Sequence, residues 1–239
     1  MGLSTQSMSA QGTMDSTATE RYSIINVDGI EVIRDSFEKV YISSPVESDG
    51  KQLSLLEYKE ILEQSDKLSE QLISIDEQSL VQSEQYNAAA VVLIGLPSYE
   101  ENLGWRATGS KVQVSAWINC PSGGSDCSIA STTQKTFTHE FSANVESGWK
   151  DYIRLGASYT WSSQTSTSTT YTLPVKAGKT AYMSFRPWIN YTRGYVTTTW
   201  YSNGWYAGTT TSDMVFGNGP DMLSNGEANG IYALEYPYE

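Results

Sequence analysis

Tyr195-Val196-Thr197-Thr198-Thr199-Trp200-Tyr201-Ser202-Asn203-Gly204-Trp205-Tyr206 is the stretch that decides the fold. β-Branched and aromatic residues stand on both sides of Asn203-Gly204, the dipeptide best suited to a two-residue hairpin turn. Such a turn sets Tyr201 opposite Tyr206 and Trp205 opposite Ser202 on the other face. A tight hairpin means antiparallel pairing, and the same signals recur on either side. Upstream, Ala181, Met183 and Phe185 alternate with other residues, as do Tyr171, Leu173 and Val175. Further back, Ile153, Leu155, Ala157, Tyr159 and Trp161 give five matches to period two. Phe137, Phe141, Ala143 and Val145 share one strand face with His139 among them, and Val112, Val114, Ala116 and Ile118 alternate again. Many strands separated by turn signals predict a mainly β chain, an antiparallel elongated sheet or β-sandwich with a small N-terminal α-helical segment.

Three regions are expected. Residues 1–20 read as a flexible polar arm. Residues 21–90 form an acidic region of short strands and a helix. There, 22–27 and 30–33 flank the turn Asp28-Gly29, and 37–42 is a further strand ended by Ser43-Ser44-Pro45. Over 51–86, Leu55, Leu62, Leu68, Leu72 and Ile75 recur at helical spacing, as one amphipathic helix or two with a break near Ser65-Asp66. An acidic helical front is ordinarily a solvated face; the alternative is a removable pro-region. Residues 91–239 are the antiparallel β domain.

The formal net charge is −12. Residues 1–100 hold six basic against seventeen acidic side chains, and residues 101–239 nine against ten. All seven Trp lie at or beyond Trp105. No basic cluster exists to neutralise phosphates, so nucleic acid is not an expected partner. No apolar run reaches the length of a membrane-spanning helix; the longest is 88–94. Cys120 and Cys127 bracket a short polar loop and read as a disulfide, the alternative being two reduced thiols. A disulfide in a Ser/Thr-rich chain points to a secreted, extracellular protein whose signal peptide has been removed.

Catalysis finds little to work with. His139 is the single histidine and lies in a strand pattern, and no G-x-S-x-G elbow surrounds a serine. The carboxylates of the β region form no motif. Asp213, Asn218, Asp221 and Asn225 have the composition of a calcium loop, but equally of ordinary turns. The expectation is a non-enzyme with no cofactor and no metal.

Residues 137–145 and 152–161 are each about as long as a tilted strand needs to be to cross a bilayer, roughly 9–11 residues. Each has an apolar face and a polar face, as a barrel strand requires and as a half-buried soluble strand also shows. Next comes Ser162-Ser163-Gln164-Thr165-Ser166-Thr167-Ser168-Thr169-Thr170, a strand wettable on both faces with weakly specified register. The order of Thr136-Phe137-Thr138-His139-Glu140-Phe141-Ser142, an amphipathic segment, the Ser/Thr run and Leu173-Pro174-Val175-Lys176-Ala177-Gly178-Lys179 resembles the aerolysin and epsilon-toxin group of β-pore-forming proteins over about residues 110–200. The resemblance implies a hairpin that inserts on oligomerisation, here carried by Phe137, Phe141, Val145, Trp149, Ile153, Leu155, Tyr159 and Trp161. It also implies a homo-oligomer acting at a cell surface or membrane.

The aromatics around the decisive hairpin support a second reading. Trp188, Tyr195, Trp200, Tyr201, Trp205 and Tyr206 are dense enough to offer stacking faces to a glycan receptor, or to stabilise the hairpin through cross-strand pairs. A third reading is an extracellular matrix or fibre subunit joined by strand addition.

Overall fold

A computed structural model describes residues 20–76, 93–161, 164–167 and 170–238. The chain is mainly β. It opens with β1 (Tyr22–Val27) and β2 (Ile30–Asp35), paired across Asp28-Gly29, whose positive φ values of 53° and 81° are those of the expected tight turn. Next comes β3 (Val40–Glu47), which continues through Pro45 rather than ending at it. Pro45 is tolerated because the pairing with the final strand shifts register there and Ser44 takes φ 50°, so the residue without an N–H sits in a bulge.

One helix, α1 (Leu55–Asp76), follows. Ser54 and Glu57 begin it with a reciprocal capping box: the Ser54 N–H donates to the Glu57 carboxylate at 2.8 Å, and the Glu57 N–H to Ser54 Oγ at 3.2 Å. There is no break at Ser65-Asp66. Ser65 turns inward, where its hydroxyl meets Thr108 Oγ1 at 2.9 Å, and Asp66 pairs with Arg21 at 2.9 Å. The part of the helical expectation beyond 76 lies outside the described residues.

The remaining strands are β4 (Leu93–Thr108), β5 (Val112–Gln113), β6 (Ile118–Asn119), β7 (Cys127–Ala130), β8 (Thr136–Thr138) and β9 (Glu140–Phe141). A 3₁₀ turn (Ser147–Trp149) leads into a short helix, α2 (Lys150–Gly156). Then come β10 (Gln164–Ser166), β11 (Thr172–Val175), β12 (Thr180–Ser202), β13 (Trp205–Thr211), β14 (Val215–Pro220) and β15 (Gly230–Pro237).

The axis of the molecule is β12, 23 residues and therefore about 75 Å long. Its first third lies in a layered body. There β15 pairs along one edge and β5 along the other, and β3, β2 and β1 extend the sheet beyond β15, so the N-terminal strands share one sheet with the C-terminal ones. Ala181, Met183 and Phe185 face one side with Tyr232 and Leu234. They are covered by the small β7–β11 sheet through Ile129, Leu173 and Val175. The opposite side buries Ile231, Ala233 and Trp188 against Tyr58 and Leu62 of α1. The described part of the acidic front, residues 21–76, thus contributes to the core, and cutting it away would expose both faces of that contact.

The rest of β12 runs out of the body as a three-stranded blade. β4 lies along one edge from Trp188 to Ser202, while β14 and then β13 occupy the other. Cys120 and Cys127 form a disulfide beside the body core, with Cys120 wholly buried.

Candidate functional site

Residues 137–161 are not a pair of long strands. The first expected strand breaks into β8 and β9, and the chain turns at 142–145, where the Val145 N–H donates to the Ser142 carbonyl. In the second, residues 152–156 belong to α2 and 157–161 are neither helix nor strand. In a helix residues two apart differ by about 200° in direction, so the alternation that unites Ile153 and Leu155 in a strand separates them here. Ile153 is fully buried, whereas Leu155 is 84% exposed. Lys150, Asp151 and Arg154 suit a short helix, Asp151 bonding Arg154 at 3.0 Å one turn on, and Gly156 ends it.

Residues 139–161 instead form a cover over one face of the blade. Val145 and Ile153 pack on Val196 and Val215, with Tyr99, Phe141, Trp149 and Trp161 around them. Phe137 does not join this group and leans on Phe185 of the body at 5.7 Å. Phe141 and Tyr159 both stack on Trp161, at 5.1 and 5.0 Å. Glycines make the recess. A methyl at Gly217 would lie 2.9 Å from the Trp161 ring, and one at Gly104 2.6 Å from Ser158 Oγ. This glycine seat was not read from the sequence.

Polar anchoring of the cover is partial. The Ser158 N–H donates to Glu101 Oε2 at 3.1 Å, and Glu101 also accepts from Thr192 at 2.6 Å. Tyr99 bonds Thr192 at 2.7 Å, and burial pushes its phenol up to about 12. By contrast Tyr159 Oη and Trp161 Nε1 are buried without a hydrogen-bond partner among the described residues, a cost of roughly 1–3 kcal/mol each.

His139 belongs to this cover, its Nε2 lying 2.8 Å from Arg154 and its ring edge-on to Phe141 and Trp161. Among the described residues no group of three metal-ligating side chains exists. Asp221, one of the calcium-loop candidates, is taken up by Arg106 at 2.5 Å and Asn229 at 2.9 Å. Among the described residues no helix is long and apolar enough to cross a membrane.

The aromatic set divides. Trp188 is a core residue beneath the Arg106 guanidinium, 4.3 Å from its ring centroid. The Trp200 ring lies across Gly95 and donates its N–H to Thr210 Oγ1 at 2.8 Å, so it serves the blade itself. Asn203 and Gly204 make the turn with φ of 50° and 83°, and the register is Tyr201 opposite Tyr206 and Ser202 opposite Trp205. Tyr195, Trp205 and Tyr206 are exposed, and Tyr201 is half-buried. Where the blade meets β9, a hollow of about 220 Å³ is lined by Glu140, Ser142, Tyr191, Phe216 and Asn218. Tyr191 stacks on Trp105 beside it, its phenol raised by burial and by Glu140.

A family of unknown function (DUF6060) matches residues 97–203, which is under half of the chain but takes in most of β4, the cover and all of β12. No curated protein matches, and no solved structure matches.

Proposed function

We propose that this is a secreted, non-enzymatic, membrane-active protein in which the cover over the blade is the inserting element. The observation that carries the reading is the conflict within residues 153–161. Their period suits a strand with one greasy face, yet they are held partly as a two-turn helix that buries Ile153 and leaves Leu155 in solvent. A segment whose pattern disagrees with its fold has a second conformation within reach. The Tyr159 hydroxyl and Trp161 N–H, which have no hydrogen-bond partner among the described residues, lower the cost of lifting the cover off the blade. Re-formed as strands, 137–145 and 152–161 align Phe137, Phe141, Val145, Ile153, Leu155, Tyr159 and Trp161 in apolar rows. One hairpin cannot close a barrel, and an open edge in hydrocarbon leaves backbone groups unsatisfied, so the active form is a homo-oligomer.

The test is dye release from liposomes by the wild type and by a variant carrying Gly104→Cys with Ser158→Cys. These positions adjoin, and a disulfide between them ties the cover to β4. Release is expected from the wild type, absent from the oxidised variant and restored by reductant, with reduced wild type controlling for the native Cys120–Cys127 bridge. Equal release from the locked variant would overturn the inserting cover.

A second reading rests on the hollow at Tyr191, Phe216 and Glu140, whose aromatic wall and polar rim have the chemistry of a sugar site. Titration with soluble glycans, followed by tryptophan fluorescence from Trp105, tests it. No spectral change with any glycan removes this reading.

A further inference from the structure

The far end of the blade differs from the rest of the molecule in one respect that the hairpin pattern alone does not require. Charged residues make up 18% of the chain, yet neither 93–99 nor 194–212, which together build the outer part of β4, β12 and β13, contains a single one. Apolar and aromatic side chains gather at the tip instead. In the last two rungs of the ladder Leu93 pairs with Ser202 and Ile94 with Tyr201, while Trp205 and Tyr206 stand across the same two residues from the other edge. Leu93 is 46%, Ile94 59%, Leu96 54%, Trp205 80% and Tyr206 66% exposed.

These side chains do not form a one-sided platform. Ile94, Tyr201 and Tyr206 project to one face of the sheet, Leu93 and Trp205 to the other, because neighbours along a strand alternate. A sugar stacks on one face, and a second protein subunit covers one face or one edge. A tip apolar on both faces matches a medium that surrounds it. Trp and Tyr with short aliphatic neighbours and no charge are the composition that settles at the bilayer interface, rings at headgroup depth. The remainder of the molecule is strongly acidic and would be repelled by an anionic surface, so the matching surface is zwitterionic. Depth is limited by the backbone. Among the described residues β4 and β13 have no strand partner other than β12, and Thr209, Thr210 and Thr211 follow within a few residues, so only the last rungs enter while the strand edges stay hydrated.

We infer that the end of the blade, through Leu93, Ile94, Trp205 and Tyr206, docks end-on into the interface of a zwitterionic lipid bilayer. For its purpose this rests on the membrane-active reading, but it is measured separately, as binding rather than leakage.

The experiment is flotation of the full chain with phosphatidylcholine vesicles, comparing the wild type with Trp205→Ser/Tyr206→Ser and with Ile94→Lys. All three positions are solvent-facing, and circular dichroism checks that the variants keep the fold. An environment-sensitive dye on Ser202→Cys reports the tip directly. Wild type is expected to float, with binding unchanged between low and high salt, and each variant to bind at least tenfold more weakly. The dye is expected to shift to the blue on vesicles. Undiminished binding by the variants, an unshifted dye on bound protein, salt-sensitive binding, or capture by a soluble glycan in place of vesicles would each overturn the inference. Binding without dye release leaves tip docking standing and removes the inserting cover.

Discussion

The two ends of β12 are one strand in two environments. Residues 180–187 lie between two covered faces, paired with β15 and β5, and Ala181, Met183 and Phe185 have no exposed surface. Residues 194–202 are paired just as continuously, with β4 and β13, but have a cover on one face for only part of their length. Hydrogen bonding is therefore similar along the strand, and burial is not. The sequence follows burial, with Met and Phe at the body end giving way to Thr, Trp and Tyr at the blade end. Continuous pairing makes β12 a rigid bar, while free energy of folding is concentrated in its first third. Phe185→Ala is expected to cost about 3–5 kcal/mol, the range for emptying a packed aromatic site. The same truncation at Tyr201 should cost about 1 kcal/mol or less, as for loss of a cross-strand pair. Denaturant melts of the two variants decide it, and equal losses would break the comparison.

Between the ends lies a junction. At Gly194 the pairing with β4 shifts register, and an added methyl would stand 2.1 Å from the Glu100 carbonyl oxygen and 2.8 Å from the Tyr99 ring. No rotamer relieves a backbone contact. Gly194→Ala is expected to destabilise the fold by about 1–3 kcal/mol, as overpacking does. The loss should fall on the blade. Amide exchange should quicken at 196–202 and 205–211 while the partners of 182–187 stay protected. Uniform loss of protection would mean that body and blade unfold as one unit.

How much of this was legible in the sequence depends on the range of the cause. Turns are local: Asp28-Gly29 and Asn203-Gly204 each make their hairpin, and the two pairs next to Asn203-Gly204 are the expected ones, although the ladder shifts register beyond Tyr201. The capping box at Ser54 is likewise local, although the reading of 51–86 rested on spacing alone. The alternation at 173–175 and 181–185 is simple because each of those strands has a dry face against the same core. Two readings missed, and one choice between alternatives stayed open, because the causes are long-range. The continuation of β3 past Pro45 needs a bulge set by β15. Continuity of α1 through Ser65 depends on Thr108, 43 residues away. The helix at 150–156 buries Ile153 against Val196 and Val215 of the blade, a long-range contact that periodicity cannot reveal. At the candidate site the aromatic density was visible, but its division was not. Trp188 and Trp200 are committed to Arg106 and Gly95, and only the structure separates them from Trp205 and Tyr206. The one overlooked signal lay in plain view, a stretch of 194–212 without a charge.

The smallest expected effect on folding bears most heavily on function. Leu155 contributes almost nothing to the soluble fold, being 84% exposed on the outer side of α2. Leu155→Lys should therefore change stability by no more than about 0.5 kcal/mol, the range for surface substitutions. In a strand Leu155 shares a face with Ile153 and Tyr159, and in a barrel that face meets acyl chains. A lysine there costs about 2–4 kcal/mol near the bilayer midplane. Dye release should accordingly fall by at least an order of magnitude, while flotation with phosphatidylcholine vesicles, which depends on the other end of the blade, stays as in the wild type. If release is undiminished, Leu155 never meets lipid. The alternation of 153–161 is then only an accident of a helix that buries one side chain, and membrane action would have to be sought in the blade tip alone.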